Sequence, residues 1–138
     1  MSSAERDKAE IIALLDRWIA AFRAKDISGV RSAWDDTYDG LVYQAEEFAG
    51  PLVTWTHIKH YYREVLTKLI ESVDNFERTG LWINTIGNVG FAYMVSNFTM
   101  SIKGAARPYS GTVRQTFVVR QVNGQWKMIH YLSHLGTS

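Results

Sequence analysis

The sequence predicts an α+β fold in which three N-terminal helices pack in a curved antiparallel sheet, giving a cone-like barrel with one pocket. Apolar residues recur at helical spacing as far as about residue 73, and after residue 76 they alternate with a period of two. Gly87-Asn88 and Asn123-Gly124 have the composition of tight hairpin turns. Helices followed by a run of strands are typical of α+β domains.

The helices are predicted from caps and from apolar stripes. Ser2 and Glu5 form a capping box that begins the first helix, which is expected to end near Lys25. Asp26 is expected to cap a short second helix. The third helix is predicted from Thr54 to about Val73. Its buried stripe contains Ile58, Tyr62, Val65, Leu69 and Val73.

One short strand and four long ones are predicted. Leu41–Tyr43 is the short strand, and a loop from Gln44 to Pro51 follows it. The long strands are Phe76–Ile86, Val89–Lys103, Gly111–Val122 and Gln125–His134. A helix lying in the hollow of a bent sheet often leaves one end open, so a pocket is expected there.

Composition bounds the class of protein. The chain has 138 residues, which favours a single domain covering residues 1–138. It has no cysteine, which excludes disulfides, thiolate catalysis and cysteine zinc sites. No apolar run approaches the ~20 residues of a membrane span, so a cytoplasmic location is expected by default and no membrane partner is predicted.

Charge is distributed unevenly along the chain. Residues 1–77 contain all 14 acidic residues and 9 basic ones, whereas residues 78–138 contain 6 basic residues and no acid. One interpretation is that strand-rich segments avoid Asp and Glu. The other is a sheet that attracts an anionic ligand or an acidic surface. Scattered bases fall short of a basic patch, so no nucleic-acid partner is predicted.

Several strings in the chain resemble the nuclear transport factor 2-like superfamily. They are Glu10-Ile-Ile, Ala20-Ala-Phe-Arg-Ala-Lys-Asp26, Gly50-Pro-Leu-Val53, Phe91-Ala-Tyr-Met94 and Asn123-Gly-Gln-Trp-Lys-Met-Ile-His130. The superfamily includes ketosteroid isomerase, SnoaL-like polyketide cyclases and the association domain of calcium/calmodulin-dependent protein kinase II. The resemblance spans nearly the whole chain and implies this fold, which hosts many functions.

The departures from these relatives bear on activity. Trp18 stands where ketosteroid isomerase has an oxyanion-binding Tyr, and the base of that enzyme falls near Val42. Its second acid lies on a late strand, where this chain has none. Two positions that resemble pocket arginines of the kinase domain are Val95 and Phe117 here, which implies a more apolar pocket. Steroid isomerisation by that constellation is therefore not expected.

His130 and His134 on the last strand are the first candidates for acid–base catalysis. An imidazole titrates near neutral pH, so either could act alone as general acid or base. The alternative is that they are ordinary hydrogen-bonded histidines of a sheet. Positions four apart on a strand are ~13 Å apart, too far to share one metal ion. Either His130, Leu132 and His134 or Ile129, Tyr131 and Ser133 face inward, and a bulge would change the facing along the strand.

Carboxylates are candidates only in the first half of the chain. Glu46 and Glu47 lie on the loop that borders the pocket mouth in relatives, so Glu46 is the first choice for a catalytic carboxylate and Glu47 for a ligand contact. His57, His60 and Glu64 have a spacing from which a metal could be bound, but a polar helix stripe is favoured. No metal and no cofactor is predicted.

The pocket itself is predicted from aromatic residues and strand alternation. Alternation groups Tyr93 with Val95 and Asn97, and it groups Gln115 with Phe117. Buried amides need partners, so Asn97 and Gln115 are expected where ligand or water satisfies the pocket. The full predicted set is Tyr43 as a catalytic hydrogen-bond donor, with Trp18, Glu47, Tyr93, Val95, Asn97, Gln115, Phe117 and Tyr131 as ligand contacts.

Two functions remain open from the sequence. One is a cofactor-independent enzyme that performs acid–base chemistry on an apolar cyclic substrate, of the isomerase, cyclase, dehydratase or hydrolase type. The other is a non-catalytic ligand-binding or oligomerisation module. In both cases a homodimer through the outer sheet face is expected, because Thr116, Val118 and their neighbours would otherwise leave a semi-apolar surface in water.

Overall fold

The computed structural model describes residues 2–45 and 48–135. Helix α1 covers Ser3–Arg23 and helix α2 covers Ile27–Ala33. Strand β1 is Val42–Gln44, and helix α3 is Trp55–Glu64. The glutamates at positions 46 and 47 lie outside the described residues, so the predictions made for them are untested.

The first two helices begin where their caps predict. The Ser2 side chain accepts a hydrogen bond from the Glu5 amide at 3.2 Å, and the Asp26 side chain accepts one from the Gly29 amide at 3.0 Å. Each cap satisfies a backbone N–H that has no partner within the helix. Both predicted starts are confirmed.

The third helix is shorter than predicted. After α3 the chain forms a π-helical turn at Val65–Leu69, and strand β2 begins at Ile70. The prediction of a helix to Val73 was wrong, because positions four apart face the same side in both a helix and a strand. Leu69 and Val73 therefore fitted a helical stripe, although Val73 pairs with Met100 in the sheet.

Four long strands complete the fold. They are β2 at Ile70–Ile86, β3 at Val89–Ile102, β4 at Tyr109–Val122 and β5 at Gln125–Leu135. The strand order is β1-β5-β4-β3-β2. Neighbouring long strands are antiparallel, whereas β1 lies parallel to β5.

The α+β fold is confirmed with two refinements. The five described strands form a mixed sheet, because β1 is parallel, and the curved sheet is not closed into a barrel. Asn123 and Gly124 form the β4–β5 turn with φ values of 53° and 76°. Left-handed conformations at both central residues match the right-handed twist of a hairpin, so this turn is as predicted.

Helix α1 packs in the hollow of the sheet, on what we call the inner face. Its buried side chains include Ile11, Leu15 and Trp18. Close packing depends on Gly90 of β3, where a Cβ atom would lie 2.6 Å from Ile11 Cδ1. An ion pair at 2.9 Å between Asp16 and Arg78 joins the helix to β2 at the surface. Within residues 2–45 and 48–135, no helix is long and apolar enough to cross a membrane.

Candidate ligand cavity

A cavity of about 190 Å³ lies between the helices and the inner face of the sheet. Its polar contributors are Trp18, Tyr43, Tyr61, Tyr62, Gln115, Tyr131 and Ser133. Its apolar wall includes Phe22, Val65, Leu69, Ile70, Phe76, Phe98, Met100, Ile102 and Val113. The π-helical turn contributes Leu69, which is 48% exposed and stands where the cavity meets solvent.

The described lining of this cavity contains no carboxylate, imidazole, ammonium or guanidinium group. Burying a charged ligand without an opposite charge is costly, whereas a neutral apolar molecule gains from the removal of its surface from water. The lining is therefore suited to a neutral, mainly apolar ligand.

Tyr62 organises the deep end of the cavity. The indole Nε1 atoms of Trp18 and Trp34 each donate to the Tyr62 hydroxyl oxygen, both at 3.2 Å. Tyr62 is 1% exposed, and this burial raises the pKa of its phenol far above the usual value. Tyr62 is therefore a neutral phenol that fixes both indoles, and it cannot serve as a base near neutral pH.

Tyr131 forms the other polar wall with Gln115. Gln115 Nε2 donates to the Tyr131 hydroxyl at 2.7 Å, and the Tyr131 ring stacks on the Tyr43 ring with centroids 4.8 Å apart. Phe117 meets the Tyr131 ring edge-on at 5.2 Å. These contacts hold Tyr131 in one orientation, so its flat face and hydroxyl are positioned before any ligand arrives.

The facing of β5 follows from a bulge. Val119 pairs with Met128 and Val118 with His130, so one residue of β5 is left over at this point. Trp126 and Met128 face inward before the bulge, and Tyr131 is buried after it. An extra residue reverses the alternation of a strand. Of the two open alternatives, the set that contains Tyr131 and Ser133 faces the cavity.

The bulge places both histidines on the outer face. His130 is half-buried between Val42 of β1 and Val118 of β4, and partial burial lowers its pKa. His134 is exposed. Neither side chain lines the cavity. The alternative in which His130, Leu132 and His134 face inward is therefore wrong, because inward and outward positions alternate after the bulge.

The prediction for β3 was also wrong about the face. Tyr93 and Asn97 are exposed and Val95 is half-buried on the outer face, whereas Ala92 and Met94 are buried on the inner face. Asn97 accepts a hydrogen bond from Thr112 on the neighbouring strand at 2.8 Å, so it is satisfied without a ligand. Since α1 packs close over the start of this strand, the small residues Gly90 and Ala92 face inward there, and Phe91 and Tyr93 face outward.

The remaining predicted positions fall into three groups. Trp18, Tyr43, Gln115 and Tyr131 line the cavity. Phe117 faces inward but lies in the core beside the cavity, fully buried. Glu46 and Glu47 lie outside the described residues, immediately after Ala45, which lines the cavity.

Sequence reasoning missed Tyr61, Tyr62 and Ser133 as cavity residues. Tyr62 was placed correctly on the buried stripe of the third helix, but as an ordinary core residue. A signal was available, because a buried tyrosine hydroxyl needs a hydrogen-bond partner and so indicates a polar feature nearby. The inward facing of Ser133 depends on the β5 bulge, which the sequence did not locate.

A family comparison agrees with this architecture. The model of a family described as SnoaL-like domain matches residues 11–135, which is most of the chain. The chain belongs to the SnoaL-like domain family. No curated protein matches the sequence of this SnoaL-like domain.

Solved structures share the fold at low sequence identity. A nuclear transport factor 2-like protein from Salmonella enterica is 16% identical with a TM-score of 0.84, covering 95% of this chain and 92% of that one. A proposed scytalone dehydratase from Novosphingobium aromaticivorans is 11% identical with a TM-score of 0.82, covering 95% and 85%. A ketosteroid isomerase-like protein from Erwinia carotovora is 19% identical with a TM-score of 0.78, covering 94% and 96%. At such identities the likeness shows the fold alone.

Proposed function

We propose that this SnoaL-like domain binds a small, neutral, mainly apolar ring compound in its cavity. The observation that carries the proposal is the lining, which joins aromatic and aliphatic walls to a few hydrogen-bonding groups without a charged side chain among the described residues. At about 190 Å³ the space exceeds the ~150 Å³ engineered cavity that takes up benzene, so one or two fused rings fit.

The shape of the walls supports a flat ligand. Trp18, Tyr43 and Tyr131 contribute rings whose positions are fixed by one another, with Trp18 and Tyr131 centroids 5.6 Å apart. Pre-positioned rings bury a flat molecule without losing side-chain freedom on binding. This favours a ring compound over a flexible chain.

Filling the cavity tests the proposal. We expect Ile102→Trp to abolish the binding of indole, used as a two-ring probe, because Ile102 lines the cavity. The matched control is Ile86→Trp, since Ile86 is 69% exposed at the far end of β2 and does not line the cavity. Binding is measured by following backbone amide signals in NMR titrations. Equal binding by both variants, or no binding by the wild type, contradicts the proposal.

The second candidate is acid–base catalysis on such a ring compound. Similar structures are described as a proposed dehydratase and as ketosteroid isomerase-like, and Tyr43 and Tyr131 supply phenols at the cavity wall. In this candidate mechanism Glu46 removes a proton from a carbon beside a carbonyl, and the Tyr43 hydroxyl donates to the developing oxyanion. Glu46 is assigned because it follows Ala45 of the cavity lining and no described lining residue is a base.

Deuterium exchange distinguishes catalysis from binding alone. The wild type is expected to accelerate incorporation of deuterium beside the carbonyl of 1-tetralone in heavy water. Glu46→Gln should lower that rate about 10²-fold or more. Glu71→Gln is the matched control, because Glu71 also directly follows a lining residue, Ile70, but is exposed and does not itself line the cavity. A His130→Ala, His134→Ala double variant should keep the wild-type rate. Wild-type exchange at the buffer rate contradicts the catalytic candidate for this substrate.

We also propose that two copies of the chain associate through the outer face of the sheet. Cross-strand pairs place Trp82 beside Tyr93 and Phe91 beside Val118, with Leu132 on the same face. We call these five residues the outer patch. Trp82 is 60% exposed and Phe91 is 42% exposed, and a contiguous apolar surface of this kind is typical of an interface.

Sedimentation tests the association. The wild type is expected to sediment as a dimer and Phe91→Asp as a monomer, because a carboxylate in the centre of the outer patch would be buried without a partner. Ile86→Asp is the control, since Ile86 is an apolar residue that is 69% exposed on β2 and lies outside the outer patch. A wild-type chain that is monomeric at every concentration contradicts this proposal.

A further inference from the structure

Gln115 is a buried amide residue on the cavity wall. It lies on the inner face of β4, is 2% exposed and contributes to the lining. Its cross-strand partner is Ser133, which also lines the cavity. Buried amides are rare unless both ends of the group are hydrogen-bonded. The partners of the nitrogen and of the oxygen of this amide are therefore considered in turn.

One end of the Gln115 amide is satisfied and the other is not. Nε2 donates to the Tyr131 hydroxyl at 2.7 Å. Oε1 is buried and has no hydrogen-bond partner among residues 2–45 and 48–135. An unmet buried acceptor destabilises a protein, and a ligand that donates a hydrogen bond to it recovers that free energy on binding. Ser96 Oγ and Trp55 Nε1 are also buried without a partner in the described part of the chain, but neither residue lines the cavity.

We propose that the ligand of this cavity carries an O–H or N–H donor, and that Gln115 Oε1 accepts its hydrogen bond. This deepens the binding function proposed above and rests on it. The last side-chain torsion of glutamine is broad, so a small tilt of the amide presents Oε1 to the cavity. Because Nε2 is occupied by the Tyr131 contact, Oε1 is the end of the amide that is left to accept from a ligand.

The inference narrows the ligand class. A hydroxylated ring or an N–H heterocycle supplies the missing donor and leaves its rings against Tyr131 and Tyr43. A ring with acceptors alone leaves Oε1 unsatisfied after water is displaced, and a site built for a donor rejects such an analogue strongly. A carboxylate ligand would meet Oε1 with a like partial charge and no described cation in the lining.

The experiment compares indole with benzofuran, its isostere without the N–H group. Isothermal titration calorimetry on the wild type is expected to give about tenfold tighter binding of indole, because one hydrogen bond that satisfies a buried acceptor separates the two ligands. Gln115→Leu should remove the preference by losing affinity for indole while keeping benzofuran. Ser96→Ala is the control, because it removes another buried hydrogen-bonding atom of the sheet at a residue outside the described cavity lining, and it should keep the preference.

The outcomes separate this inference from the binding proposal. Tighter indole binding by the wild type that is lost in Gln115→Leu supports the inference. Equal binding of both compounds to the wild type, or a preference for benzofuran, overturns it and leaves the binding proposal standing. Binding of neither compound overturns both. The wild-type comparison decides the matter even if Gln115→Leu does not fold.

Discussion

The two sides of the sheet differ in what supplies the hydrogen-bond partners of their aromatic side chains. On the inner side, Tyr131 accepts a hydrogen bond from Gln115 and Tyr62 accepts two from buried indoles. On the outer side, Tyr93 packs against Trp82 with ring centroids 5.6 Å apart and stays 36% exposed. Water can serve a hydroxyl outside, whereas inside the protein must supply the partner. The same residue type therefore has a different energetic role on each side.

Removal of a single hydroxyl gives the largest expected effect. Tyr62→Phe leaves the Trp18 and Trp34 indole N–H groups buried without an acceptor, which should lower the free energy of unfolding by about 3 kcal/mol. Tyr93→Phe removes the same atom on the outer side and should change that free energy by less than about 0.5 kcal/mol. Urea unfolding of both variants measures the difference.

Similar decreases in the free energy of unfolding of Tyr62→Phe and Tyr93→Phe would contradict the difference between the two sides of the sheet. A small loss in Tyr62→Phe would mean that the indoles find other acceptors or water. A large loss in Tyr93→Phe would mean that the outer patch is covered by a second copy under the conditions used. Repeating the measurement at several protein concentrations separates the second case, because self-association makes stability depend on concentration.

Helices, strands and turns were predicted from the sequence better than the side of the sheet on which each strand residue lies. Caps at Ser2 and Asp26 and the turn at Asn123 depend on local chemistry, which a single sequence shows directly. The facing of β3 depends on tertiary packing. Both alternating sets on that strand contain apolar and polar residues, so periodicity alone could not assign the inner face. The inner face of β3 is indicated by Gly90 and Ala92, which are small because α1 lies close to them.

The residues that line the cavity were predicted only in part, because the facing of strands depends on tertiary packing. On β4 the alternation is clear, and Gln115 and Phe117 face inward as expected. On β5 the bulge between the Met128 and His130 pairings breaks the period, so the sequence left both alternatives open. Tyr61 and Tyr62 reach the cavity from α3, and a helix-to-strand contact of that kind is not encoded in local spacing. The catalytic candidate depends on Glu46, which is assigned from its place in the sequence directly after Ala45.

The smallest expected effect lies on the outer side, at His130. Burial against Val42 and Val118 disfavours the charged imidazole, so its pKa is lower in the folded chain than in the unfolded one. The unfolded state then binds more protons as pH falls below about 6.5, and the folded state loses stability until its own imidazole protonates. His130→Gln should make urea unfolding less dependent on pH in this window, and Val122→Gln, an exposed change on β4 that alters no titratable group, should keep the wild-type slope. If His130→Gln also keeps the wild-type slope, then the half-buried outer position does not disfavour charge, and the contrast between the two sides is confined to hydroxyl and indole groups.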